Sequence, residues 1–143
     1  MQELPTISIL TPTYNNAKII HSFLETITNQ TYPKHKIELL ILDGGSTDNT
    51  LSIAKKYKVK VYHNEKRLAE PAITLGMSVA TGDLMMVLAV DNFLHDKESL
   101  KRMAQVFEDK TIYAAFPMQD SKDNYTIYSK YVNTCLLYTS RCV

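Results

Sequence analysis

The 143-residue sequence contains few cysteines and almost no excess of charge of either sign, which excludes several classes of protein. Its two cysteines, Cys135 and Cys142, lie at the extreme C-terminus, so we predict neither a disulfide framework nor a cysteine metal site. Lys and Arg total 16 against 15 Asp and Glu, which leaves no positive excess of the kind that attracts nucleic acid or anionic lipid. We therefore expect no nucleic-acid partner.

Long apolar runs are also missing. No stretch approaches the roughly 18 apolar residues of a membrane-spanning helix. The N-terminal "MQELPTISIL" lacks the basic and then apolar layout of a signal peptide. The chain is predicted to be a single cytoplasmic domain without a membrane span, and peripheral membrane association of the full-length protein stays open.

Apolar runs typical of strands alternate with segments of helical periodicity. Ile20, Phe23, Leu24 and Ile27, for example, recur on one face of a helix. This alternation predicts an α/β fold with a Rossmann-like, doubly wound and mostly parallel sheet. The predicted strands cover residues 6–10, 37–43, 59–63, 84–89 and 112–117, and the predicted helices cover residues 17–30, 46–57, 70–80 and 96–108.

Three polar loops follow predicted strands: "TPTYNN" after the first, "DGGSTD" after the second and "AVDNF" after the fourth. Because the carboxyl ends of parallel strands meet at one edge of a sheet, these loops are expected to converge there. Ligands of doubly wound folds bind at that edge. The three loops therefore predict a single binding site.

Four segments carry a resemblance to a known family: "ISILTPTYNN", "NQTYP", "LLILDGGSTDNT" and "ATGDLMMVLAVDN". In this order and spacing they resemble the amino-terminal half of a family 2 glycosyltransferase, which implies the amino-terminal part of the glycosyltransferase A-type fold. The resemblance covers residues 6–92 and extends more weakly to residue 116. It implies a nucleotide-sugar-binding domain over residues 1–134, incomplete at its C-terminus.

The final segment, residues 135–143, does not share this pattern. Its "CLLYTS" is identical to what one reading frame of a common sequencing adapter encodes, so we interpret residues 135–143 as an artefactual tail. An ordinary apolar tail is the alternative.

The resemblance implies donor-binding roles for four residues outside the metal site. Tyr14 matches an aromatic that lies against the donor base, and Thr13 a weaker backbone contact. Asp43 matches an acidic residue that contacts base or ribose, and Arg67 a basic residue near the diphosphate. A phenol ring can stack on a base and a guanidinium can form paired hydrogen bonds to phosphate. Ordinary turn or surface roles are the alternatives.

The resemblance also implies a metal site after the fourth predicted strand. The family signature has two carboxylates separated by one residue, but only Asp91 is present here, with Ala89 or Val90 at the other position. Asp91 matches the residue that touches the metal, a divalent cation such as Mg²⁺ or Mn²⁺, which takes oxygen ligands. The alternative is that Asp91 and Asn92 only form an Asx turn.

The implied activity is the transfer of a sugar from a nucleoside diphosphate, with a UDP-sugar favoured, to an acceptor hydroxyl. The resemblance implies that the transfer inverts the configuration at the sugar's anomeric carbon and is assisted by a metal ion. The implied acceptor is a glycan or a lipid-linked molecule, as in cell-envelope polysaccharide synthesis. The resemblance implies that the catalytic base lies on the later half of the fold, outside this chain. His63 and His95 are candidates by residue type only, and a surface role is the alternative for both. Residues 120–131 either begin an acceptor loop or form a connection. A noncatalytic nucleotide-binding module and an inactive fragment remain alternatives, and a receiver-like domain is disfavoured because no acid follows the first strand.

Overall fold

The computed structural model describes residues 3–115 and the backbone of residues 137–139. Its main feature is a four-stranded, fully parallel sheet in the order β3-β2-β1-β4. The strands are β1 (Ile7–Thr13), β2 (Ile37–Asp43), β3 (Val59–His63) and β4 (Leu84–Val87), and the helices are α1 (Ile20–Thr28), α2 (Thr50–Ala54), α3 (Ala69–Val79) and α4 (Ser99–Val106). The prediction of a mostly parallel α/β sheet is confirmed.

The two inner strands, β1 and β2, are buried along nearly their whole length. Ile9 and Leu10 of β1, and Leu40 and Leu42 of β2, are each fully buried. Since successive side chains of a strand point to opposite faces, both faces of the sheet are covered. The continuous apolar run of β2 correctly predicts an inner strand.

Helix α3 packs closely on one face through a glycine. A Cβ atom at Gly76 would come within 2.7 Å of Leu10 Cδ2 and 2.8 Å of Leu42 Cδ1. Such distances are too short for real atoms, so the absence of a side chain lets the helix reach the sheet. Ala72 completes this buried cluster with Leu10, Leu40 and Leu42.

The strand order contains a reversal at β1. From β1 the chain adds β2 and then β3 on one side, and it returns to place β4 on the other side of β1. Right-handed crossovers then put α1 and α2 on one face and α3 on the opposite face. Doubly wound folds bind ligands at the carboxyl edge of the sheet beside such a reversal.

Strand β1 continues past Pro12 to Thr13, although the apolar pattern predicts a strand over residues 6–10 only. Leu88 N–H donates to the carbonyl of Leu10, so the backbone groups of residues 10 and 12 face β4. The β4 ladder ends at Val87, opposite Leu10. Pro12 therefore lacks a donor only where the ladder has already ended, and β1 continues along β2.

Helix α2 is shorter than the predicted 46–57. It begins at Thr50 and ends at Ala54. Ser46 and Asp48 use their backbone or side chains in loop hydrogen bonds instead of in a helical turn. These side chains favour turns and caps for the same reason that they oppose helix interiors.

A second compact unit covers residues 101–143, and the division from residues 1–100 falls within α4. In this unit β5 (Ile112–Ala115) pairs antiparallel with β6 (Leu137–Thr139) in a separate two-stranded sheet. The predicted strand at 112–117 is thus present over four residues, but it was wrong to place it in the parallel sheet. A short apolar run identifies a strand without specifying its partner.

The polar segment 120–131, the predicted boundary at 134 and both cysteines lie outside the described residues. The interpretation of residues 135–143 as an artefact stays a prediction. Among the described helices, none is long and apolar enough to cross a membrane.

Candidate functional site at the carboxyl edge of the sheet

A shallow depression of about 180 Å³ lies at the carboxyl edge. Three of the predicted site residues, Thr13, Tyr14 and Arg67, line it together. Tyr14 is 46% exposed, so much of its ring is open to a ligand. The remaining lining residues come from the ends of β1 and β2, from the turn between β3 and α3 and from the start of α3: Pro12, Leu42, Asn64, Leu68 and Ala69.

Arg67 adopts an unusual backbone conformation, with a φ of 57° in the left-handed region. Its N–H donates to the carbonyl of Asn64 at 3.1 Å, closing a turn between β3 and α3. Residues other than glycine rarely adopt this conformation, and where they do it is often at a functional site.

The guanidinium of Arg67 lies beside the loop that follows β2. A Cβ atom built at Gly45 would lie 3.8 Å from both Nε and Nη2 of Arg67, and one at Gly44 would lie 3.3 Å from Arg67 Cα. Gly45 itself has a φ of 89°. Within residues 3–115 no carboxylate or hydrogen bond engages the guanidinium, so it is available to an anion.

Asp43 is 3% exposed and is already engaged in its own loop. Its carboxylate accepts hydrogen bonds from the N–H of Gly45 at 2.9 Å, from the N–H of Ser46 at 3.0 Å and from the Ser46 hydroxyl. In this geometry it shapes the two-glycine turn beneath Arg67. Direct contact between Asp43 and a donor stays a prediction.

The loops after β1 and β2 are joined to each other. Asn15, which has a φ of 51°, donates its N–H to Ser46 Oγ at 2.9 Å and accepts from Thr47 N–H at 2.8 Å. Asp48 accepts the Ala17 N–H at 3.1 Å. These bonds fix the backbone on both sides of Tyr14. Sequence reasoning missed them, because Asn15 and Asp48 carry only local turn signals.

Hydrogen bonds also stabilise the ionised form of Asp48. The Thr50 hydroxyl, and then the N–H groups of Thr50 and Ala17, lower the pKa of this carboxyl below its ordinary value despite partial desolvation. Asp48 therefore acts as a charged acceptor in the loop frame, and it is not among the residues that line the depression.

Asp91 lies beyond the end of β4, on the far side of β1 from Arg67. It is exposed, and its carboxylate has no partner among residues 3–115. The backbone N–H of Asn92 donates to the carbonyl of Ala89 at 2.9 Å, so backbone atoms close the turn. Asp91 does not line the depression.

A divalent cation fits this arrangement only with ligands from a donor molecule. No group of three or more His, Cys, Asp or Glu occurs among the described residues. Asp91 offers one carboxylate that has no partner in residues 3–115, and hard cations complete their shells with phosphate oxygens and water. His63 and His95 are exposed and do not line the depression.

The "NQTYP" segment has a structural role that sequence reasoning did not identify. Gln30 is 6% exposed. Its Nε2 donates to the carbonyl of Asp96 at 2.6 Å, and its Oε1 accepts the N–H of Leu100 at 3.1 Å. Thr31 N–H donates to the carbonyl of Lys97 at 2.9 Å. Gln30 and Thr31 thus hold the segment that follows Asp91.

The fold is that of GT-A glycosyltransferases. The mannosyltransferase PcManGT from Pyrobaculum calidifontis, in complex with GDP-Man and Mn²⁺, superposes with a TM-score of 0.75 at 24% identity, covering 82% of this chain and 36% of that one. Staphylococcus aureus TarS 1-349 in complex with UDP-GlcNAc superposes with a TM-score of 0.76 at 26% identity, covering 85% and 36%.

The family model described as Glycosyl transferase family 2 matches residues 8–140, and the chain belongs to that family. A similar relative is a dolichyl N-acetyl-alpha-D-glucosaminyl phosphate 3-beta-D-2,3-diacetamido-2,3-dideoxy-beta-D-glucuronosyltransferase of Methanococcus voltae, 36% identical over 109 residues. That match covers 71% of this chain, but the chain spans only 34% of the relative's length. The resemblance noted from the four sequence segments is confirmed.

Proposed function

We propose that the chain forms the donor-binding part of a glycosyltransferase that moves a sugar from a nucleoside diphosphate to the hydroxyl of a glycan or lipid-linked acceptor. The observation that carries the proposal is the depression lined by both Tyr14 and Arg67, whose guanidinium has no partner within residues 3–115. TarS, which shares fold and family features, binds UDP-GlcNAc, which supports a UDP-sugar as donor.

The roles follow from the chemistry of each side chain. Tyr14 stacks on the donor base, since half of its surface is open and the surrounding loops are fixed. Thr13 contacts the donor through its backbone. Arg67 donates paired hydrogen bonds to the diphosphate, and its charge opposes the negative charge that grows as the diphosphate departs.

Asp91 is the residue that would hold Mg²⁺ or Mn²⁺. When bound, the cation supplies Lewis-acid stabilisation of the departing diphosphate. The Mn²⁺ in PcManGT, a protein of the same fold, supports this assignment. Transfer with inversion needs a base on the acceptor hydroxyl, and none of the residues lining the depression offers one.

A noncatalytic nucleotide-binding module is the second candidate. It is favoured by the single carboxylate after β4, since no cluster of three potential ligands exists in residues 3–115. Donor binding without sugar transfer by the full-length protein would support this candidate over the first.

The test is calorimetric titration of UDP into the chain, with and without Mn²⁺. Loss of base stacking predicts that Tyr14→Ala weakens binding about tenfold. Tyr113→Ala is its matched control, because Tyr113 is 77% exposed in the second unit. We expect Asp91→Asn to abolish the Mn²⁺ dependence while the exposed control Glu108→Gln retains it.

Two results would contradict the proposal in separate ways. A folded chain that binds no UDP would disprove the donor site. Binding that is equal with and without Mn²⁺, and unchanged in Asp91→Asn, would disprove the metal role alone.

A further inference from the structure

We propose that Asn64 is a positioning residue that holds Arg67 in its left-handed conformation and thereby directs the guanidinium over the glycine turn. The part of this inference that concerns ligand binding rests on the proposed function of Arg67. The part that concerns conformation rests on the ligand-free structure alone.

Asn64 makes two hydrogen bonds within the turn between β3 and α3. It is 6% exposed, and its side-chain Nδ2 donates to the carbonyl of Leu68 at 2.8 Å. Its own carbonyl accepts the N–H of Arg67 at 3.1 Å. The N–H of Arg67 and the carbonyl of Leu68, the residue that follows it, are therefore both bonded to Asn64.

Asn64 is itself fixed to the sheet. Its backbone N–H donates to the carbonyl of Asp43 at 2.7 Å, at the end of β2. The carboxylate of Asp43 in turn holds Gly45 and Ser46. One residue thus connects the turn that carries Arg67 with the loop over which the guanidinium lies.

Arg67 needs such support because an L-residue with a side chain is disfavoured at a φ of 57°. Without the hold, Arg67 is expected to move toward ordinary negative φ values, which redirects its side chain. The close approach of Gly44 to Arg67, 3.3 Å from a built Cβ to Cα, shows how tightly the present arrangement fits. A relaxed turn would move the guanidinium away from Gly45.

The role requires an amide donor at position 64. An ionised Asp has the same shape but cannot donate to the carbonyl of Leu68 and would repel it. Alanine removes the contact without adding a charge. Asn64→Asp and Asn64→Ala therefore test the same bond in two ways, and Glu65→Ala changes an exposed residue of the same turn as a matched control.

The first experiment measures the position of Arg67 by NMR in the ligand-free chain. The Nε of Arg67 lies close enough to Gly45 that nuclear Overhauser contacts between the Arg67 side-chain protons and the Gly45 α-protons are expected. We expect these contacts in the wild type and in Glu65→Ala, and their loss in folded Asn64→Ala and Asn64→Asp. Contacts retained in both Asn64 variants would overturn the proposal.

The second experiment is a double-mutant cycle on UDP affinity. If Asn64 acts through Arg67, Asn64→Ala weakens binding about tenfold when Arg67 is present and less than about twofold in an Arg67→Ala background. Equal losses in both backgrounds would show a merely structural role and overturn the proposal.

A third variant separates the backbone from the charge. Arg67→Gly accepts the left-handed conformation freely but lacks the guanidinium, so it should lose UDP affinity as Arg67→Ala does without a loss of thermal stability. If the wild type binds no UDP, the proposed function is wrong, and the NMR experiment still decides whether Asn64 positions Arg67.

Discussion

Glu38 lies near the start of β2, at the end of the sheet opposite the proposed donor site, and it gives a prediction about stability. Its carboxylate accepts hydrogen bonds from Lys60 Nζ at 2.7 Å, from the Thr81 N–H at 2.9 Å and from the Ser8 hydroxyl. Burial of this carboxyl raises its pKa, but these bonds outweigh that effect and lower the pKa from 4.5 to about 2. The cluster links β1, β2, β3 and the segment before β4.

The size of the effect follows from the two pKa values. Their separation of about 2.5 corresponds to roughly 3 kcal/mol of stabilisation at neutral pH. The Glu38 side chain is 14% exposed but that of Lys60 is 58% exposed, so solvent screens the pair. Screening reduces the expected cost of Glu38→Gln to about 2 kcal/mol at pH 7.

The pH dependence has a definite sign. Because the folded-state pKa is lowered, the contribution is complete above the unfolded pKa of 4.5 and is lost as the pH falls toward about 2. Urea unfolding should show a constant difference between wild type and Glu38→Gln from pH 7 to about pH 5 and a shrinking difference below pH 4.5.

A matched control exists in the exposed pair of Glu3 and Lys36. Their charged atoms are 2.8 Å apart, but the Glu3 side chain is 87% exposed, so Glu3→Gln should leave the free energy of unfolding unchanged within error. Equal stability of Glu38→Gln and wild type at pH 7, or a difference that persists undiminished to pH 2, would refute the reasoning.

Two further substitutions test the packing and the support of the Asp91 segment. Gly76→Ala should lower the free energy of unfolding by about 1–2 kcal/mol, because the cost of the clash between the new methyl group and Leu10 and Leu42 exceeds the gain in helix propensity. Ser78→Ala, at an exposed position of the same helix, is the control. A Gly76→Ala variant that is more stable than the wild type would contradict this packing. Gln30→Ala should lower the free energy of unfolding in the same urea assay by about 2–3 kcal/mol, since it leaves the buried N–H of Leu100 without its acceptor. Gln105→Ala, at an exposed position, is the control. Equal stability of the two variants would show that Gln30 does not hold the segment that follows Asp91.

The sequence predicts the regular elements well where one physical signal dominates. The predicted strand over residues 37–43 and the predicted helix over residues 70–80 match β2 and α3 almost to the residue. The pattern fails where two signals compete. Pro12 is a strand breaker in general, but here its missing donor faces a ladder that has already ended.

The candidate site is predicted from the sequence only in part. Tyr14 and Arg67 were singled out from the family resemblance, and the structure brings them to one depression. The support around them depends on contacts between distant residues, such as Asn15 with Ser46 and Gln30 with Leu100. Such pairings leave no local pattern, because a polar residue in a loop has the same propensity whichever partner it meets.

The most direct test of the account is the location of Mn²⁺ and UDP on the chain in solution. In NMR spectra, Mn²⁺ broadens the signals of nearby nuclei, and we expect it to do so only when UDP is present. The account predicts broadening centred on residues 90–92 and reaching residues 13–14 and 67–69, with little effect on the exposed surface around His21. Broadening that does not require UDP, or that is centred away from Asp91, would contradict the proposal that these loops form one donor site.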